Sequence, residues 1–303
     1  MKNFNFTQRG LALSVGVATA ALVSVAPAAE AASFNLNFDE GADGGSVLYN
    51  NDGTLQLDQW ESWGVTLSGH NNRTGNAAKL NTYDTGRRKA NPTNYRYDQD
   101  LETGYVAGDE NRYGNRGVNG TTAQGNVLII QEESSQNFGN GQWFEDDEGK
   151  GGKINFGFNS AISLTSFSML DIDDNGHGIT VTATGAEGSE DLVIDIDALI
   201  NDHYEANGNK QGSIFTNNGV TITQLGAKRG DNSMYQFDLD QDFFAGRRFS
   251  DVEFKYPGSG AISGIEWNTD DGPQEIPEPS VIGGLLMLGY VGARKYRKQQ
   301  LPA

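Results

Sequence analysis

The chain has no cysteine in its 303 residues. A disulfide framework is excluded, and stability must come from core size or from bound ions. A chain this long buries enough surface to fold without covalent staples. Histidine is nearly as scarce: His70, His177 and His203 are the three in the sequence, and none lies in a zinc-binding spacing such as H-E-x-x-H. There is no G-x-S-x-G nucleophile turn and no phosphate loop. Basic residues are few, 22 Lys and Arg against 40 acids, for a net charge of −18. Such a chain repels nucleic acid and anionic lipid and attracts cations. The same excess also serves simply as a solubility device. Long apolar runs are missing from the body and occur only at the two ends.

Those two ends carry an address. Lys2 and Arg9 form a basic start, residues 11–25 are apolar, and Ala29-Glu30-Ala31 is a small-x-small cleavage site. This order predicts a signal peptide over residues 1–31, cut after Ala31, with Ala28 as the alternative. At the other end Pro277-Glu278-Pro279 leads into the uncharged residues 281–293, followed by Arg294, Lys295, Arg297 and Lys298. A helix rises 1.5 Å per residue, so that run spans about 20 Å. The hydrocarbon slab is about 30 Å thick. The run is short for a permanent anchor unless Ser280, Tyr290 and the flanking basic residues are drawn in by snorkelling.

The Pro-Glu-Pro, the glycine-containing apolar run and the basic terminus resemble the PEP-CTERM sorting signal of exported bacterial proteins. The resemblance covers residues 277–300 and implies a Gram-negative-type cell. It implies export by the secretion machinery, brief membrane tethering through the tail, and cleavage near Pro277, Glu278 and Pro279 by an exosortase-type enzyme. The destination it implies is the cell surface or extracellular matrix. It carries nothing about the activity of the remaining chain.

Between the ends lies one expected domain, residues 32–269, joined to the tail by a Pro-containing linker over 270–279. Glycine, at 40 residues, is far above its usual ~7% share, and Asn and Asp are abundant. That is turn chemistry, which predicts many short strands. Phe34, Leu36 and Phe38 alternate with polar residues, as do Ile154, Phe156 and Phe158, and Val252, Phe254 and Tyr256. Residues 126–132 read as a strand buried on both faces. Residues 153–158 and 162–172 read as two successive strands, and Asp197 as the cap of a short helix over 198–205. The pattern predicts an all-β fold, a two-sheet antiparallel sandwich of jelly-roll type with long loops. The segment Phe254-Lys255-Tyr256-Pro257-Gly258-Ser259-Gly260-Ala261-Ile262 is similar to the last two strands of carbohydrate-binding sandwiches in secreted bacterial proteins. Residues 125–173 are similar to uncharacterised domains of other proteins with this sorting tail.

Three features are candidates for chemistry. Asp171-Ile172-Asp173-Asp174-Asn175-Gly176 fits the first half of a calcium loop. Asp171, Asp173 and Asn175 would supply oxygens, with Glu132, Asp146 or Asp147 arriving from neighbouring strand ends. Thr182 replaces the bidentate Glu of an EF-hand, and the motif equally fits a hairpin turn. Trp60, Trp63 and Trp143 are candidate platforms for sugar rings; the other reading of Trp60 and Trp63 is core packing. Residues 71–125 read as a long loop holding Arg87, Arg88, Lys89, Arg96, Arg112 and Arg116, which either folds onto the acidic body or contacts an anionic glycan. The expected function is a non-catalytic surface protein that binds calcium and extracellular polysaccharide. The alternatives are a polysaccharide hydrolase or lyase on the same fold, and a purely structural matrix protein.

Overall fold

The structure is a computed structural model and describes residues 32–85, 101, 103, 124–132, 145–172, 178–226 and 233–269. The expected signal peptide, the linker, the sorting tail and the six basic residues of the insert lie outside the described residues. The described chain is all-β apart from one α-helix and one 3-10 turn. Twelve strands form one hydrogen-bonded antiparallel sheet. They are β1 (Ala32–Leu36), β2 (Val65–Asn71), β3 (Leu80–Asp84), β4 (Asn126–Ile130), β5 (Gly152–Leu170) and β6 (Thr180–Gly185). After β7 (Leu192–Asp195) comes α1 (Ile196–Asn207), then β8 (Ile214–Asn217), β9 (Val220–Gln224), β10 (Met234–Leu239), β11 (Phe249–Tyr256) and β12 (Ala261–Thr269).

The organising element is β5, 19 residues long. The sequence reads as two strands because Asn159 and Ser160 interrupt the apolar alternation and are exposed. The backbone nevertheless continues, since both halves find partners. The first half pairs with β2 on one side and β11 on the other. The second half pairs with β12 and β10. The first group extends through β6 to β7, and the second through β9 to β8. On the far side of β12, β1 pairs along residues 265–269 and β4 along 261–262. β3 closes that edge against β4.

Alternation along these strands gathers apolar side chains from both groups into one core cluster. Phe167 of the second half of β5 meets Phe254 of β11 edge-on at 5.4 Å and stacks on Phe237 of β10 at 4.9 Å. Phe156 meets Phe254 at 5.6 Å. Trp267 is fully buried and stacks on Phe34 of β1 at 5.3 Å. Close packing also dictates glycine: a Cβ on Gly152 would stand 2.0 Å from the carbonyl oxygen of His70 on β2. A second, smaller cluster sits on the opposite face of the β12 side of the sheet. There Tyr83, Leu101, Val127, Ile129, Leu170, Met234 and Ala261 pack together.

Two local expectations are corrected. Residues 80–84, read as part of a loop, form β3 because Leu80, Asn81, Thr82 and Tyr83 are buried against β4. The helix starts at Ile196 with Asp195 as its cap, its side chain accepting from the Ala198 amide at 3.0 Å. Asp197 instead accepts from the amides of Gly178 and Ile179, tying the helix to the segment before β6. His203, within the predicted helix, is a buried residue of α1 whose ring contacts Ser213.

Candidate functional site

A bulge decides which residues face outward. Ser166 pairs with Glu266, but Leu164 pairs with Trp267, so Thr165 is an extra residue on β5. The extra residue inverts the alternation. Before it, even-numbered Ile162 and Leu164 are core residues; after it, odd-numbered Phe167 and Met169 take that place. Ser166 and Ser168 are thereby turned to the opposite face, in line with Leu170 of the smaller cluster. A second irregularity at Ser263 on β12 keeps Gly264 and Glu266 on that same face.

The outcome is an open polar groove of about 220 Å³ on the outer face of β1, β12, β5 and β10. Two rows cross it. Asp238, Ser166, Glu266 and Asn35 form one row by register, and Gln236, Ser168 and Gly264 the other. Asn37, Asp39 and Gln124 complete one end of the groove. The Asn35 side-chain amide donates to the Glu266 carboxylate at 2.7 Å, and Gln236 donates to Asp238 at 3.1 Å. Ser263 donates to Ser168 at 2.7 Å, which leaves the Ser168 proton to be given elsewhere. Asp39 accepts from the Asn126 amide at 2.8 Å, fixing residues 124–126 at the end of the groove. The Ser166 hydroxyl is buried in the wall with no protein partner. Among the described residues the groove lining contains amides, hydroxyls and carboxylates and no basic side chain.

A second polar centre lies where β4 leaves the sheet. Residues 146–148 run back along 130–132: Glu132 donates its amide to the Asp146 carbonyl at 2.8 Å, and Glu148 to that of Ile130 at 2.9 Å. Arg73 bridges Glu132 at 2.8 Å and Glu148 at 2.7 Å. The Glu148 carboxylate is fully enclosed and also accepts from Asn71 at 3.1 Å and the Lys150 amide at 3.0 Å. Its hydrogen bond raises the Arg73 pKa further, so the guanidinium stays charged. Asp147 accepts from the Gly260 amide at 2.7 Å. Burial first, and the Asp147 charge second, push the Tyr256 phenol well above its ordinary 10.0.

The residues singled out in the sequence fall as follows. Asp171 is buried, directly after β5, with a left-handed φ of 55°. It is one step beyond the Leu170–Ala261 pair, and Gly260, held by Asp147, precedes Ala261. Asp171, Asp146, Asp147 and Glu132 therefore all lie beyond the same end of β12. Among the described residues, no three His, Asp or Glu side chains are grouped to hold a metal ion. Asp173 and Asn175, the other members of the proposed loop, lie outside the described residues. So do Trp143, Ala31, Pro277, Glu278 and Pro279.

Trp60 is wholly buried, edge-on to Phe38 at 5.9 Å, with its indole N–H donating to the Glu40 carbonyl at 3.0 Å. It offers no ring face to a sugar and belongs to the core, the other reading given for it. Trp63 is half-buried and tilted against Phe34 at 6.0 Å. Sequence reasoning missed the groove altogether. Its trace was there: Asn35-Leu36-Asn37 and Ser166-Phe167-Ser168 each place small polar residues on the face opposite a buried ring or Leu.

Among the described residues, no helix is long and apolar enough to cross a membrane. Compared with known proteins, the chain matches no family model, no curated protein and no solved structure.

Proposed function

We propose that this is an exported, surface-sorted protein that binds extracellular polysaccharide without cleaving it. The twelve-stranded sheet is, in this reading, folded over at β5 into a two-layer, jelly-roll-like sandwich with the groove on its outer surface. The observation that carries the proposal is the groove itself: a shallow trough lined by amides, hydroxyls and carboxylates. Side chains of these kinds exchange hydrogen bonds with sugar hydroxyls as donors and acceptors. The signal peptide and the PEP-CTERM-like tail supply the location, with an exosortase-type enzyme and the secretion machinery as partners. The test is cosedimentation of the purified chain with polysaccharide extruded by its own cells. Binding without release of new sugar ends is expected. Steady release of ends would make the protein a hydrolase or lyase, and absence of cosedimentation would remove the glycan role.

Calcium is a second part of the reading. It is favoured by the placement of Asp171 beside the ends that carry Asp146, Asp147 and Glu132, with Asp173 and Asn175 following in sequence. Hard oxygen ligands contributed by several loops suit this ion. Titration of the chelator-stripped protein with calcium by calorimetry is expected to show saturable heat; a flat titration removes the ion.

A further inference from the structure

Resting on the polysaccharide reading above, the groove also has a chemical preference. We infer that it selects a neutral, hydroxyl-rich sugar ring bearing adjacent hydroxyls, and rejects uronates. At about 220 Å³ the trough is smaller than the roughly 300–1,000 Å³ of pockets that enclose drug-sized ligands. That volume suits one ring of a longer chain, since the trough is open to solvent. Among the described residues the lining carries Glu266 and Asp39 as carboxylates and no basic side chain to offset a ligand's negative charge. A carboxylate accepts from two hydroxyls at once, through its two oxygens. Glu266 holds Asn35 through Oε1, which leaves capacity for sugar hydroxyls on the same group. Ser168, already accepting from Ser263, gives its proton to a sugar oxygen. A uronate brought here would place like charges together, and the chain's net charge of −18 repels polyuronates at longer range. Recognition is by hydrogen bonds, since among the described residues Phe167 is the one aromatic residue of the lining and is itself buried.

Gly264 provides a clean probe of the site. A Cβ there meets only the Leu36 carbonyl oxygen and the Ser168 hydroxyl, both at 3.5 Å, which is ordinary contact. A larger side chain at this position therefore fills the trough at little cost to the strand. The experiment uses the full chain in calorimetric titrations against glucan, mannan and galactan oligomers and against oligouronates of matched length. At least one neutral series is expected to bind tenfold or more tightly than the uronates. Gly264→Leu should weaken that binding at least tenfold, with Gly264→Ala as a milder step whose melting temperature stays unchanged. Glu266→Gln, which keeps shape and removes charge, should narrow the gap between neutral and uronate ligands. Equal or tighter uronate binding overturns the selectivity. Neutral binding left intact by Gly264→Leu places the glycan elsewhere and overturns the groove assignment while the wider polysaccharide reading stands. Failure of every glycan to bind removes both.

Discussion

Ser166→Ala should make the protein more stable. A serine hydroxyl in a wall normally finds an acceptor, because a buried polar group without a partner costs about 1–3 kcal/mol. The Ser166 hydroxyl has less than 1 Å² of exposed surface and no protein partner, although Glu266 and Asp238 stand directly across from its backbone. Alanine keeps the strand geometry and deletes the orphan oxygen. The gain expected is about 1 kcal/mol, the low end of that range, because the groove alongside is open to water. For a domain of this size that is a rise of about 2–4 °C in melting temperature. Ser168→Ala, two residues on, is the internal control. It strands the buried Ser263 hydroxyl, whose acceptor it removes, and should cost about 1–2 kcal/mol. Urea unfolding with linear extrapolation measures both, provided the slope is unchanged. A loss of 1 kcal/mol or more for Ser166→Ala would refute the reasoning, since it would mean that the hydroxyl has a partner it cannot spare.

Two further perturbations test the other polar centre. Glu148→Ala removes the enclosed carboxylate between Arg73, Asn71 and the Lys150 amide, and should cost about 3 kcal/mol. That is the low end for breaking a buried pair, because Arg73 is one-third exposed and retains Glu132; equilibrium denaturation gives the number. Tyr256 sets an alkaline limit: its folded pKa is raised, so the phenol ionises first in the unfolded chain, at about 10. Its contribution is complete below that pH and is lost as the pH rises from there through the raised folded value. Tyr256→Phe should flatten the fall in stability above pH 10, seen as melting temperature against pH; an unchanged slope would sink the assignment.

The strand texture was legible because period-two alternation leaves a direct mark on the sequence. Phe34, Leu36, Phe156, Val252 and Phe254 all face the core as their spacing predicts. What was not legible is what pairing adds. The continuity of β5 through Asn159 and Ser160 depends on β2, β11, β12 and β10 arriving on both its edges, and no local pattern announces that. β3 was hidden because Asn81 and Thr82 are polar residues buried by tertiary contacts, with Asn81 bonded to Gln131 at 2.9 Å. The groove escaped for a related reason. Its residues are ordinary serines and amides until the bulge at Thr165 turns Ser166 and Ser168 to the face shared by Asn35, Gln236 and Glu266. The acidic strand ends were visible as composition, yet Arg73, which binds two of them, carries no motif of its own.

The shared strand also governs how the molecule can come apart. Each half of β5 keeps its own neighbours, but both groups draw strands from both sides of β5 in the chain: β2 and β11 flank its first half, and β1, β4, β10 and β12 belong with its second. No split along residues 152–170 would therefore yield two fragments that each fold alone. The protein should melt in one step despite its length, and evolution would have no seam at that strand along which to divide it into separate modules.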